Sequence, residues 1–445
     1  MNPESNLTAS HNSTAQLGRL FFWMYFFSLM LFLTSCRGTA TVPTPSLSSL
    51  PVISTPPATP VIELDSEAQK LARTIAQGCT AFSPRPTPGP TEQSLFPAPS
   101  PLDWTRGNPS ADVNIIEYCD FQAFPCAQFV LVMAQTLLDF PGQVRWIYRH
   151  YPLASINDKA QLAVQAAEAA GKQGQFWQMH DLLYSRQSEW SSLSPSEFVL
   201  WLAQQATTLE MDSHKFESDL QSSSVVQIAQ HAWETNSRIG IPGTPFILLN
   251  NQIWPAELPL NYYTIRDYIR LALLEKRQFE SCPPMVIEPQ KSYTAVLRTE
   301  KGDILIQLFT DQAPIAVNNF VFLAQNGWYD GVRFHRVLAG LLAQTGDPSD
   351  SGYGNPGYAF VDEINPQLTF DQPGRVAMAN SGINTNGSQF FITMTSTPQY
   401  NGRYAIFGQV IQGMEVVQSL TLRDPSQFPP PPPGDLILSV SILEQ

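Results

Sequence analysis

Tyr293-Thr-Ala-Val-Leu-Arg-Thr-Glu-Lys-Gly-Asp-Ile-Leu-Ile-Gln-Leu308 alternates apolar and polar side chains on either side of Lys301-Gly302. A period of two puts one row of side chains on each face of a strand, and the Lys-Gly pair supplies a turn. The stretch therefore predicts an antiparallel hairpin. Downstream, Ala313-Pro-Ile-Ala-Val-Asn-Asn-Phe-Val-Phe-Leu323 predicts a helix with proline in its first turn, where a backbone N–H has no helical partner to lose. Short β-rich segments follow, then a second helix near Met414–Leu420. A proline run, Pro429 to Pro433, precedes a terminal strand over Leu436–Leu443. Many short strands with two helices suit a closed, all-β barrel.

Five further stretches lie in order along this part of the chain. They are Phe334-His-Arg-Val337, Gln344-Thr-Gly-Asp347, Met378-Ala-Asn380, Asn384-Thr-Asn-Gly-Ser-Gln-Phe-Phe391 and Phe407-Gly408. Together they resemble the cyclophilins, over about 150 residues. The resemblance implies peptidyl-prolyl cis/trans isomerase activity on proline-containing polypeptides. That chemistry needs no nucleophile, cofactor or metal. The bond to proline is held by amide resonance with a barrier of ~18–20 kcal/mol, and uncatalysed isomerisation takes tens to hundreds of seconds. A catalyst must grip the proline ring in an apolar pocket and donate toward the prolyl nitrogen as it regains its lone pair. Each ~1.4 kcal/mol of selective stabilisation is tenfold in rate.

By resemblance the donor is Arg336. Gln344 would hold the substrate carbonyl, Asn380 would pair with the peptide backbone and Phe391 would floor the proline pocket. Leu341, Leu342, Ala379, Gln389, Tyr400 and Tyr404 would line the same groove, while His335 is expected to be structural. Taken alone, an arginine after Phe-His on a strand reads as a surface ion pair; the ordered motifs make it the catalytic group. The chain departs from the family at the rim. Leu341-Leu342 stand where Phe-Met is common, Gln399 where a Trp is usual, Tyr404 where a His is usual and Tyr400 where a Leu is usual. The expectation is activity with an altered rate or substrate preference.

Upstream, Val113–Tyr118 predicts a strand, Phe129–Leu138 an amphipathic helix and Val144–Tyr148 a second strand. Residues 157–240 read as largely helical. Gly240-Ile-Pro-Gly-Thr-Pro245 leads into a strand, Phe246–Leu249, and a helix follows over roughly Thr264–Phe279. With Glu117-Tyr-Cys-Asp-Phe-Gln122, Tyr148-Arg-His-Tyr-Pro-Leu153, Phe176-Trp-Gln-Met-His-Asp181 and Gly243-Thr-Pro245, residues 105–280 resemble DsbA-like oxidoreductases. These have an α/β thioredoxin fold with a helical insertion. The family places Cys-x-x-Cys after Asp-Phe-Gln, with the first thiolate activated at a helix N-terminus. Here the four residues are Ala123-Phe-Pro-Cys126, so the nucleophile position is an alanine. Cys119 is new, seven residues before Cys126. The two form a structural disulfide, a displaced redox pair or two buried free thiols. Pro245 resembles the family's cis-proline.

The N-terminus reads as an export signal. About 14 apolar residues, Leu20–Leu33, run into Thr34-Ser35-Cys36. That is short for a spanning helix and right for a signal-peptide core. The ending resembles the lipobox of bacterial lipoproteins, in which Cys36 would be acylated and hold the chain to the membrane of the cell envelope, outside the cytoplasm. The other four cysteines, Cys79, Cys119, Cys126 and Cys282, form an even set that suits disulfides outside the cytoplasm. A Cys79–Cys282 staple is one of their pairings. There is no Cys-x-x-Cys, and the six histidines are scattered, so no zinc site is expected.

The 445 residues carry 25 Lys+Arg against 38 Asp+Glu, a net −13, without basic clusters. Nucleic-acid binding, which needs them, is set aside. Of 38 prolines, 13 lie between Val42 and Leu102 and six between Asp424 and Gly434. Within the first of these regions Ser66 and Gln69 predict a capping box for a short helix closed by Gly78. The chain thus divides into a signal segment (1–36), a Pro/Ser/Thr-rich spacer with one helix (37–102), a DsbA-like domain (103–282), a linker (283–290) and a cyclophilin-like domain (291–445). The leading expectation is an isomerase that assists folding of exported proteins, with its thioredoxin-like half binding clients or handling thiols. The alternatives are a non-catalytic holdase and a thiol-disulfide oxidoreductase using Cys119 and Cys126.

Overall fold

The computed structural model describes residues 66–82, 95–288, 290–427, 429 and 431–445. The signal segment with Cys36, and the spacer apart from 66–82 and 95–102, lie outside the described residues. Helix α1 (Glu67–Gln77) starts at the expected capping box: Ser66 Oγ accepts from Gln69 N, and the Gln69 side chain accepts from Ser66 N. Such a cap is worth ~1 kcal/mol. Strand β1 (Cys79–Ala81) follows directly.

The thioredoxin-like domain is built on five strands. They are β2 (Trp104–Gly107), β3 (Val113–Cys119), β4 (Val144–His150), β5 (Phe246–Leu249) and β6 (Gln252–Ile253), in the order β2-β4-β3-β5-β6. Only β3 and β4 run parallel. Helix α2 (Phe124–Asp139) makes the crossover between them. It starts five residues earlier than the sequence suggests. Pro125 suits its first turn, while Phe124 points largely to solvent (65% exposed) and so adds nothing to the apolar pattern. The insertion is six helices: α3 (Ala160–Gly171), α4 (Phe176–Ser185), α5 (Gln187–Trp190), α6 (Pro195–Thr208), α7 (Ser213–Leu220) and α8 (Ser223–Ile239). Alanines on α3 (Ala163, Ala166, Ala167, Ala170) are buried, which lets α4, α7 and α8 pack closely on it. Helix α9 (Tyr262–Leu274) ends the domain.

The second domain opens with the expected hairpin, β7 (Tyr293–Thr299) and β8 (Gly302–Leu308), then α10 (Pro314–Gln325). Strands β9 (Arg336–Leu338), β10 (Leu342–Thr345), β11 (Tyr358–Phe360), β12 (Arg375–Met378), β13 (Phe390–Thr393) and β14 (Ile406–Gln412) follow, then α11 (Met414–Ser419) and β15 (Ile437–Glu444). Eight of them form one sheet, β15-β7-β8-β14-β12-β13-β10-β9. Its ends meet where residues 331–334 bond to 435–437, as in Phe334 N to Asp435 O (3.0 Å) and Gly331 N to Ile437 O (2.8 Å). The interior is apolar, with α10 supplying Val317, Phe320, Val321 and Leu323 to it.

The segments flanking the thioredoxin-like domain are more than spacers. Strand β1 pairs with β11, and Leu71 and Ile75 of α1 join the barrel's core cluster. Residues 285–287 of the linker pack there too: Ile287 is buried, and Val286 N donates to Asn318 Oδ1 (2.7 Å). A Cys79–Cys282 disulfide ties these two strips together. Residues 96–98 belong with the other domain, where Phe96 packs on Tyr118 and Phe246 and Arg149 donates to the carbonyls of Pro97 and Ala98. The described residues thus form one compact unit.

Candidate active site

Register places the principal side chains. Gln344 on β10 pairs directly with Arg336 on β9 and with Phe391 on β13. Direct cross-strand partners share a sheet face, so three residues distant in sequence stand in one row. A cavity of about 520 Å³ opens over that row. Arg336, Leu342, Gln344, Ala379, Asn380 and Phe391 line it, joined by Tyr400 and Tyr404 at the rim. Leu341 and Gln389 are not in its wall. Leu341 packs against the Phe391 cluster, and Gln389 sits behind Gln344.

Phe391 is 3% exposed and lies in an aromatic box. Phe370 stacks near it at 5.9 Å, Tyr404 meets it edge-on at 5.2 Å and Tyr400 at 5.8 Å. Leu342, Ala377 and Ile406 complete the cluster. The tyrosines restore aromatic wall where the Leu341-Leu342 pair lacks it. Phe370 went unnoticed in the sequence because it lies on a loop with no motif around it.

A hydrogen-bond relay aims the polar groups. Asp347, fully buried, accepts from Ser349 N and Oγ and from the backbone N–H groups of Gly352 (2.7 Å) and Gly354 (3.0 Å). This folds the 347–354 loop around one carboxylate. A Cβ on Gly354 would fall 1.9 Å from Asp347 Oδ1, so only glycine fits. The carbonyls of Gly352 and Gly354 then accept from Gln389 Nε2 (3.0 Å each). Gln389 Oε1 accepts from Gln344 Nε2 (3.0 Å), and Gln344 Oε1 accepts from Arg336 Nη1 (3.3 Å). The guanidinium is thus steadied by a neutral amide. Asn380 Nδ2 donates to Arg403 O (3.2 Å). His335 is buried beneath the cavity, where desolvation holds its pKa below the usual imidazole value. Neutral and enclosed, it fits the expected structural part.

The thioredoxin-like domain presents a different site. Cys119 and Cys126 are both fully buried and joined in a disulfide across the β3–α2 corner. Of the three arrangements open in the sequence, this excludes free thiols. It also places both sulfurs out of reach of a partner thiol. Glu117 lies within 4.8 Å of them, fully buried, and desolvation pushes its pKa up to about 8 against the hydrogen bond from Trp146 Nε1 (2.7 Å). With both sulfurs bonded to each other, these three residues are not a metal site. Ala123 occupies the N-cap of α2 without a side-chain bond. The Thr244–Pro245 bond is cis. Pro245, Pro125, Phe129, Val132 and Leu260 line a largely apolar cavity of about 550 Å³.

An apolar slot boxed by rings, with a guanidinium at its mouth, is built to twist a proline peptide bond: the second domain is a prolyl isomerase on a cyclophilin barrel. Comparison with known proteins agrees. The family model for cyclophilin type peptidyl-prolyl cis-trans isomerase matches residues 294–442, and a thioredoxin family model matches 100–269. Peptidyl-prolyl cis-trans isomerase A of Mycobacterium tuberculosis is 45% identical over 157 residues, spanning 32% of this chain and 86% of that protein. Peptidyl-prolyl cis-trans isomerase-like 1 of Rhizopus delemar is 48% identical over 130 residues, spanning 28% of this chain and 79% of that protein. A crystal structure of a cyclophilin type isomerase from Cryptosporidium parvum is 36% identical, covering 35% of this chain and 99% of that one, with a TM-score of 0.32. The chain belongs to the cyclophilin-type peptidyl-prolyl cis-trans isomerase family, with a thioredoxin-like domain preceding the isomerase in sequence.

Proposed function

We propose that the protein accelerates cis–trans isomerisation at proline in exported polypeptides, working outside the cytoplasm from a lipid anchor on Cys36. The observation that carries the catalytic part is the shared row of Arg336, Gln344 and Phe391. Phe391, with Phe370, Tyr400 and Tyr404, takes the proline ring. Gln344 and Asn380 hold the flanking backbone. Arg336 donates to the prolyl nitrogen when twisting localises its lone pair, a stabilisation present only near the transition state. Gln389 is a positioning residue, acting through Gln344. Two buried or half-buried disulfides and the apolar run ending at Cys36 support the extracytoplasmic placement.

The thioredoxin-like domain holds clients without redox exchange in this reading. Its apolar cavity beside Pro245, and the exposed Phe124, favour that over an oxidoreductase, as does the burial of both sulfurs. The test follows cis-to-trans relaxation of a short Xaa-Pro peptide with the full chain and its Arg336→Ala variant. Acceleration lost in the variant is the expected result. No acceleration by either form would put the non-catalytic holdase first.

A further inference from the structure

We propose that helix α9 of the thioredoxin-like domain forms one wall of the isomerase groove, and that Arg266 on it selects substrates carrying an acidic side chain near the proline. The inference rests on the isomerase reading and names its substrate class.

Arg266 and Asp267 line the same cavity as Arg336, Gln344 and Phe391. The wall is fixed in place. Arg270, one turn further along α9, pairs with Asp350 of the isomerase loop at 3.2 Å. Leu274, at the end of the helix, is buried in the barrel's core cluster. Just beyond, Phe279 N donates to Pro356 O (2.8 Å). A substrate in the groove therefore meets residues of both domains.

The charges at this wall do not cancel. Asp350 is shared between Arg270 and Arg423, the latter at 3.8 Å. Asp267 is engaged by Arg266 at 2.8 Å, and Asp424 lies close enough to Arg336 to feel its charge. Among the groups that line the cavity itself, Arg266, Arg336 and Arg423 stand against Asp267 and Asp350, with Asp347 behind them spent on the donors of its own loop, inside a chain whose net charge is −13. That positive excess at the groove wall is the chemistry that receives a carboxylate.

The test uses the full chain and pairs of peptides identical except for Glu or Gln, two residues before or after the Xaa-Pro bond. Catalysed relaxation gives kcat/KM, and calorimetry gives affinity. The Glu peptide should be favoured by about two- to fivefold, as a partly exposed ion pair supplies. Arg266→Gln should remove the preference and Asp267→Asn should enlarge it. The preference should also shrink with added salt. Equal Glu/Gln ratios in the parent chain and both variants would overturn the proposal. A parent chain that accelerates neither peptide would overturn the isomerase reading instead, and the affinity ratio would still decide the wall.

Discussion

At the residue scale, Arg336 is the sharpest test. A hydrogen bond from a charged group contributes about 1.5–3 kcal/mol. Arg336→Ala should therefore lower kcat/KM by about 10- to 100-fold, read in the peptide relaxation assay, with little change in thermal stability. Glu117 makes a second prediction, about pH. Its folded pKa, about 8, lies above the ordinary value of 4.5, so the native state binds the extra proton between those limits. The stability it contributes is full below pH 4.5 and is lost as pH rises through 8, with a slope approaching about 1.4 kcal/mol per pH unit. Glu117→Gln should flatten that decline in urea unfolding measured from pH 4.5 to 8.5; parallel curves would refute it. Arg336, Gln344 and Phe391 were legible because each sits in a multi-residue motif. Phe370, Arg266 and the relay through Gln389 were not, because they join the site through packing between segments far apart in sequence.

At the scale of elements, the 347–354 loop is held by one buried carboxylate with five donors around it. Asp347→Ala leaves those donors unpaired and should cost about 2–4 kcal/mol in chemical unfolding. It should also lower kcat more than it raises KM, because the loop anchors Gln389. The Cys119–Cys126 bridge closes a short loop, worth about 2–3 kcal/mol. Cys119→Ser with Cys126→Ser should lower the stability of the thioredoxin-like domain by that amount and leave isomerase activity in place. Strong signals made some elements plain. The β7–β8 hairpin alternates cleanly, α1 carries its capping box, and Pro314 opens α10. Strands β2 and β6 escaped because two to four residues carry no period to read. The start of α2 escaped because its first side chain faces water.

At the scale of the whole molecule, the segments outside the two domains make contacts that composition does not announce. Helix α1 and strand β1 pack on the isomerase domain across the intervening one, β1 through its pairing with β11 and α1 through Leu71 and Ile75. Nothing local in 66–82 announces a partner near residue 360, so the sequence alone read a spacer. Cys79→Ser with Cys282→Ser removes a cross-link spanning 203 residues, for which chain entropy gives about 5 kcal/mol. The isomerase should unfold at lower denaturant in that variant, with its thioredoxin-like half shifted less. The β1–β11 pairing carries a further consequence for vectorial synthesis. Residues 79–81 emerge first, yet their partners at 358–360 are made only after the whole thioredoxin-like domain has appeared. The isomerase domain is the last part to become complete although it owns the earliest of the described segments. A nascent chain must therefore keep an apolar helix face waiting through most of its own translation.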